Sequence, residues 1–214
     1  MEMPMEAAPE TGAPQPGQSG SRLHGSQLAL VLAAIMCTLL LAALDQTIVG
    51  TALPTIASDL NGYANYSWVL TSYLLTSTTM TPIIGKLSDL FGRKWFIVVG
   101  ILIFLLGSAL SGASSTMTQL ILFRGLQGIG AGMIMSLVFT LIGDIFMPAE
   151  RAKWQGLFSG VFALASVIGP AAGGYITQYI NWRWVFYVNL PIGILALCLI
   201  IFFLPTSISL RNTT

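Results

Sequence analysis

Charge is what this sequence has least of. Only 8% of its 214 residues are Asp, Glu, Lys or Arg, against roughly 25% in an ordinary soluble domain. With 55% hydrophobic residues and a mean hydropathy of +0.80, the chain cannot dress a water-facing surface. The formal net charge of +1 leaves no basic footprint for nucleic acid. Histidine is nearly absent: His24 stands alone near the N-terminus, which excludes a His-based metal site. Cysteine is scarce too. Cys37 and Cys198 each lie inside an apolar run rather than in loops, so they read as packing residues and not as a secreted disulfide framework. There is no G-x-x-x-x-G-K-[ST] stretch to cradle a nucleotide phosphate, which argues against ATP hydrolysis. Ten-residue alternation of apolar and polar positions is also missing, and with it the pattern of a membrane β-barrel.

What the chain has is apolar runs of membrane-spanning length. Residues 1–25 are rich in Pro, Gly, Glu and Gln and bury too little apolar area to offset ordering entropy, so a disordered tail is expected there. It lacks the basic start, short apolar stretch and small-residue cleavage site of a signal peptide. Six candidate spans follow, at Leu28–Thr51, Trp68–Leu87, Trp95–Leu110, Leu120–Ile142, Gly156–Ile176 and Trp184–Leu204. Each is near the roughly 20 residues that cross a bilayer. Helices satisfy every backbone polar group internally, so an all-α membrane protein is expected over 26–205. The second span is the least apolar, with Thr71, Ser72, Thr76, Ser77, Thr78, Thr79 and Thr81, but helical hydroxyls can bond back to their own backbone. Basic residues in short loops set the orientation. With the N-terminus inside, Arg22, Lys86, Arg93, Lys94, Arg151, Lys153 and Arg211 are cytoplasmic and Arg183 alone is outside, so a cytoplasmic tail is expected.

Two charges lie within the spans. Asp45 follows an uncharged run from Leu28, and a carboxylate at mid-membrane costs about 2.5–3.5 kcal/mol on insertion scales. Arg124 opens the fourth span in RGLQGIGAG, with Gly128 and Gly132 at spacings of four on one helical stripe. Glycines so placed let another helix approach closely, which would aim Arg124 into the bundle. The bland alternative is an interfacial arginine reaching outward to headgroups. Asp45 and Arg124 fall at similar depth and can pair. Asp45 would then be a functional group, or else only a device that fixes helix packing.

Two further clusters stand out. GKLSDLFGRK, Gly85 to Lys94, combines two glycines and three basic residues, as a tight turn with topology anchors requires. Asp89 in that loop and Asp144 at the end of the fourth span have no topological role, and both could hold Arg93. In the fifth span, Gly169, Pro170, Gly173 and Gly174 lie within GPAAGG. They remove one backbone donor and several side chains, which suggests a bend against a closely packed neighbour.

Taken in order, these motifs resemble the major facilitator superfamily, specifically its fourteen-span drug:proton antiporters. The resemblance covers about Leu28 to Leu204. GKLSDLFGRK is similar to the loop pattern G-x-L-x-D-R-x-G-R-[RK], with Leu90 in place of an arginine. RGLQGIGAG is similar to R-x-x-Q-G of the fourth span, and LDQTIVGTALP to the first-span pattern of the fourteen-span family. GPAAGG resembles the fifth-span antiporter pattern; Gly156 fits its longer form, and Ala165 replaces a glycine. WRWVFYVNLPIG, Trp182 to Gly193, is similar to the start of that family's sixth span.

The resemblance implies one half of a major-facilitator fold, built of two inverted three-helix repeats, with substrate near the midplane. It implies proton-coupled export of amphipathic organic compounds by alternating access, without enzyme chemistry or a cofactor, driven by the proton gradient. Asp45 and Arg124 would serve proton coupling. Gly85, Asp89, Gly92, Arg93 and Asp144 would form an inner-face latch, one basic residue short at Leu90, in which Asp89 meets the other half. The implied setting is a plasma (inner) membrane, and the implied partners are a small-molecule substrate, the lipid bilayer and a second half. That half would be the C-terminal part of a longer chain or a second copy. Residues 206–214 are accordingly expected to be a short tail or the start of that connection. The alternatives within this frame are an uptake symporter, against which GPAAGG argues, and a truncated membrane protein acting only as a partner.

Overall fold

The computed structural model describes residues 25–204. The expected tail, all but Gly25, and the expected connection at 206–214 lie outside the described residues. Seven helices account for nearly all the rest: α1 Gly25–Asp59, α2 Ser67–Phe91, α3 Arg93–Ala113, α4 Met117–Ile145, α5 Pro148–Tyr179, α6 Trp184–Tyr187 and α7 Asn189–Phe203. The helices run past the apolar windows expected of them. α1 has 35 residues, about 52 Å at ~1.5 Å per residue, and so overreaches the hydrocarbon layer. Hydropathy marks where lipid contact stops, whereas a helix continues until its backbone is capped.

The caps are local chemistry. α1 closes with Asn61 at φ 48°, where Gly62 N–H bonds to Ala57 O at 2.9 Å and Asn61 N–H to Ser58 O at 3.3 Å. That is a Schellman ending with asparagine in the left-handed position. One residue separates α2 from α3: Gly92, at φ 97°, a conformation that side chains resist. Thr116 Oγ1 accepts from Gln119 N–H at 3.2 Å to start α4, and Pro148 occupies the opening turn of α5, where its missing donor costs nothing.

All six membrane segments are helical as expected, and two need comment beyond length. α2 is too polar to count among the five helical stretches that are long and apolar enough to cross a membrane. It is nevertheless one 25-residue helix. Its hydroxyls satisfy themselves along the backbone: Thr71, Thr76, Thr79 and Thr81 donate to the carbonyls four residues earlier at 3.0, 2.9, 2.7 and 2.8 Å. The sixth segment spans Trp184–Phe203 as expected, with its hydrogen-bond ladder interrupted at Val188, which keeps helical angles of φ −58° and ψ −29°. Pro191 is the cause by chemistry, because it has no N–H to offer Tyr187 O and its ring crowds that carbonyl.

α4 packs against α2 and α3, and α1 packs in the same way against α5 and the α6–α7 segment. Exchanging the first three segments with the last three leaves this pattern unchanged. Since short turns alternate the helix directions, the two triplets are inverted repeats. Glycines set the distances. A Cβ on Gly130 would lie 2.5 Å from Phe104 N, and one on Gly128 would collide with Tyr73 O. Cys37 is half-buried, but Cys198 is exposed on the outer side of α7, which corrects its reading as a packing residue. Packing needs only one stripe of that short helix, and Cys198 lies off it.

A buried charge cluster and a charged hinge turn

Asp45 and Arg124 meet. Arg124 Nη1 donates to Asp45 Oδ2 at 2.7 Å, and both side chains have 0% exposure. The outward-reaching alternative for Arg124 is thereby overturned: glycines on its own helix let α2 close over it. The pair joins α1 to α4, the two helices that open the repeats. Arg124 Nη1 also donates to Gln127 Oε1 at 2.8 Å, and Gln127 Nε2 donates to Asp45 Oδ1 at 2.8 Å. From α7, Asn189 Nδ2 donates to the same Oδ1 at 2.7 Å and to Ser108 Oγ of α3 at 3.0 Å. Tyr73 of α2 lays its ring under the guanidinium, 4.1 Å from Cζ to centroid, a favourable cation–π contact in a dry setting.

A carboxylate with three donors and a planar cation on an aromatic face is well satisfied, but the cluster is not closed. Arg124 Nε and Nη2 and Asn189 Oδ1 are buried and have no hydrogen-bond partner among the described residues. Native interiors leave few such atoms. The far edge of the guanidinium therefore offers two charged donors to an acceptor, within a cluster whose other half already holds a carboxylate.

Sequence reasoning assigned no role to Gln127, Asn189, Ser108 or Tyr73. Gln127 was legible, since it lies three residues beyond Arg124 on the same face. Asn189 left a fainter mark, a lone amide before Pro191 in an apolar run. Ser108 and Tyr73 left none, because a serine and a tyrosine in membrane helices have many neutral explanations.

The second constellation sits at the turn between α2 and α3. Arg93 pairs with Asp89 at 2.7 Å and with Asp144, and donates from Nη1 to Thr140 O at 2.8 Å. The start of α3 is thus tied to the end of α4. Asp144 is mostly covered, while the Asp89 side chain is 55% exposed. Gly85 lies against α4, where a Cβ would stand 3.3 Å from Ser136 Oγ. Leu90, where the resembled pattern has arginine, is exposed and contributes no charge.

The fifth-span cluster divides. A Cβ on Gly169 would collide with Thr47 of α1, and one on Gly173 would come 2.9 Å from Ile48 O. Gly174 has nothing within 4 Å and Pro170 is exposed, so neither makes the close contact expected of the whole cluster. The reason is helical phase: positions 169 and 173 share the face toward α1, whereas 170 and 174 are turned away from it. α5 runs through Pro170 as one helix.

Known proteins resemble this chain. Residues 35–213 match the Major Facilitator Superfamily. The multidrug transporter protein MdtP of Bacillus subtilis (strain 168) is 51% identical over 175 residues, which make up 82% of this chain and 32% of that protein. The efflux pump dotC of Dothistroma septosporum (strain NZE10 / CBS 128990) is 43% identical over 179 residues, 84% of this chain and 31% of that protein. The chain thus spans about a third of the length of the curated relatives it matches. Among solved structures, a D-xylose-proton symporter superposes with a TM-score of 0.73 at 16% identity, covering 85% of this chain and 49% of that one. At that identity the likeness concerns the fold alone.

Proposed function

This chain belongs to the Major Facilitator Superfamily and is an integral membrane protein, and from that premise we propose that it is the N-terminal half of a proton-coupled exporter of amphipathic organic compounds. The observation that carries the proposal is the Asp45–Arg124 pair, with 0% exposure at both side chains and two arginine donors left unpartnered. A purely structural ion pair in a membrane gains little over apolar packing, so its persistence favours a working role. Similarity to proteins named a multidrug transporter and an efflux pump supports the substrate class and the direction.

In this reading Asp45 binds and releases a proton as the cavity opens to one side and then the other. Burial disfavours a carboxylate and an adjacent cation favours it. Moving α1 relative to α4 changes both influences together. Proton entry down its gradient then drives substrate outward, with no cofactor. The second half, from the same longer chain or a second copy, supplies the other cavity wall. Loop basic residues support a cytoplasmic N-terminus; in this reading the membrane is a plasma membrane, and the Arg93 turn lies on its inner face as a latch whose exposed Asp89 meets that second half.

The test is Asp45→Asn, which keeps the side-chain shape but cannot titrate and replaces one of the two accepting oxygens with a donor. In the complete two-half transporter reconstituted in vesicles, it should abolish substrate accumulation driven by an imposed pH gradient while leaving substrate binding. Accumulation at the unmodified rate would place the proton site elsewhere.

A further inference from the structure

We propose that Asn189 is the positioning residue that reads the protonation state of Asp45 and passes it to the interruption in the sixth span. The inference rests on Asp45 being the proton site. Asn189 opens α7 immediately after Val188. Beyond its bond to Asp45, its Nδ2 reaches Ser108 Oγ at 3.0 Å, and Ser108 Oγ donates to Phe186 O at 2.8 Å. Phe186 lies on α6, before the interruption. One buried hydrogen-bond chain therefore runs from Asp45 on α1, through α7 and α3, to the backbone of α6.

A carboxylate only accepts, but a carboxylic acid must also donate. Oδ2 of Asp45 faces the cationic donor Arg124 Nη1, so an added proton belongs on Oδ1. Two amides face Oδ1. Gln127 cannot turn its oxygen toward it without giving up Arg124, to which Oε1 is bound at 2.8 Å. Asn189 can: its Oδ1 is buried and has no partner among the described residues. Turning that amide end for end gives the Asp45 O–H an acceptor. It also brings Oδ1 to Ser108 Oγ, so the serine hydroxyl can leave Phe186 O. No covalent bond breaks: the two hydrogen bonds donated by Asn189 Nδ2 are exchanged for two accepted by its Oδ1, and the proton on Asp45 is the only species added.

The other groups around the cluster do not compete for this role. Arg124 comes from α4 and Tyr73 from α2, the latter against the guanidinium. α3 and α7 contribute only Ser108 and Asn189, α6 brings the Phe186 ring, and α5 has no titratable residue between Trp154 and Tyr175.

The experiment is pH-difference infrared spectroscopy of the 214-residue chain in lipid bilayers, with asparagine side-chain amides isotope-labelled. Asn212 is replaced by glutamine, which leaves four labelled amides; Asn61, Asn65 and Asn181 are exposed and Asn189 is buried, which separates their signals. The expected result is a carboxylic-acid C=O band, lost in Asp45→Asn, that rises on acidification with a labelled amide C=O shift of the same midpoint. The amide shift should vanish in Asn189→Leu while the carboxyl band stays. A purely packing role for Asn189 moves no amide band with pH. An Asp45 band that titrates without an amide partner overturns this proposal and leaves the proton-site reading standing. Absence of any Asp45 band overturns both. Because the labelled chain with Asn212→Gln alone already decides between these outcomes, failure of Asn189→Leu to insert does not obscure them.

Discussion

Arg124 and Asp45 were each conspicuous as single residues, and their energetic meaning lies in being together. Removing one member of a buried pair strands the other, at about 3–5 kcal/mol. Removing both charges at once leaves two amides that can bond with each other and with Gln127. Arg124→Gln and Asp45→Asn should therefore each lower the thermal unfolding midpoint more than the Asp45→Asn/Arg124→Gln double substitution does. Additive losses in a melting assay of the four proteins would show that the two charges are not coupled. Tyr73 belongs to the same unit. Tyr73→Leu takes the aromatic face from the guanidinium and should weaken the fold by about 1–2 kcal/mol beyond the lost packing, whereas Tyr73→Phe keeps the ring and should not.

At the scale of the helix, distance between axes is the controlling quantity. Gly130 meets backbone atoms of α3 and Gly173 meets the backbone of α1, and neither neighbour can swing aside as a side chain would. Gly130→Ala should cost about 1–3 kcal/mol, the usual range for overpacking. Gly173→Leu should abolish transport in the two-half protein. Gly174→Leu, one residue on and open to space, should leave both folding and transport intact; equal damage from the two leucines would mean that α5 does not face α1 as described. The Arg93 turn works at this scale as well. Since Asp144 already anchors Arg93 to the end of α4, the more exposed Asp89 is the dispensable partner inside this half. Asp89→Asn should leave the fold unchanged yet raise cytoplasmic cysteine labelling of the cavity in the complete transporter. Unaltered labelling counts against a latch.

For the whole molecule, the two inverted triplets bring α1 and α4 together, and the charge cluster forms where they meet. Glycines fall differently in each repeat: α4 carries them toward both α2 and α3, whereas α5 carries them toward α1. One half thus contains the whole buried Asp45–Arg124 cluster. The 214-residue chain reconstituted alone should show no substrate-dependent proton flux, and adding the second half should restore it. Flux by the single half at the rate of the complete transporter would refute the half-transporter reading.

From the sequence alone came the class, the six spans, the two buried charges and the Arg93 cluster, because each follows from local quantities. Apolar length, glycine spacing and the scarcity of charge act over one helix or one turn. The family resemblance rested on such local runs too. Partnership did not. That Gln127 and Asn189 share one oxygen of Asp45, that Tyr73 lies beneath Arg124, and that Gly173 packs while Gly174 does not depend on how each helix is rotated about its axis. Rotation is decided by the sum of packing from several neighbours at once, and no single helix encodes it. The interruption at Val188 shows both sides of this division. Pro191 makes it readable as a weak point in the chain, but only the fold brings Asp45, Asn189 and Ser108 to that point.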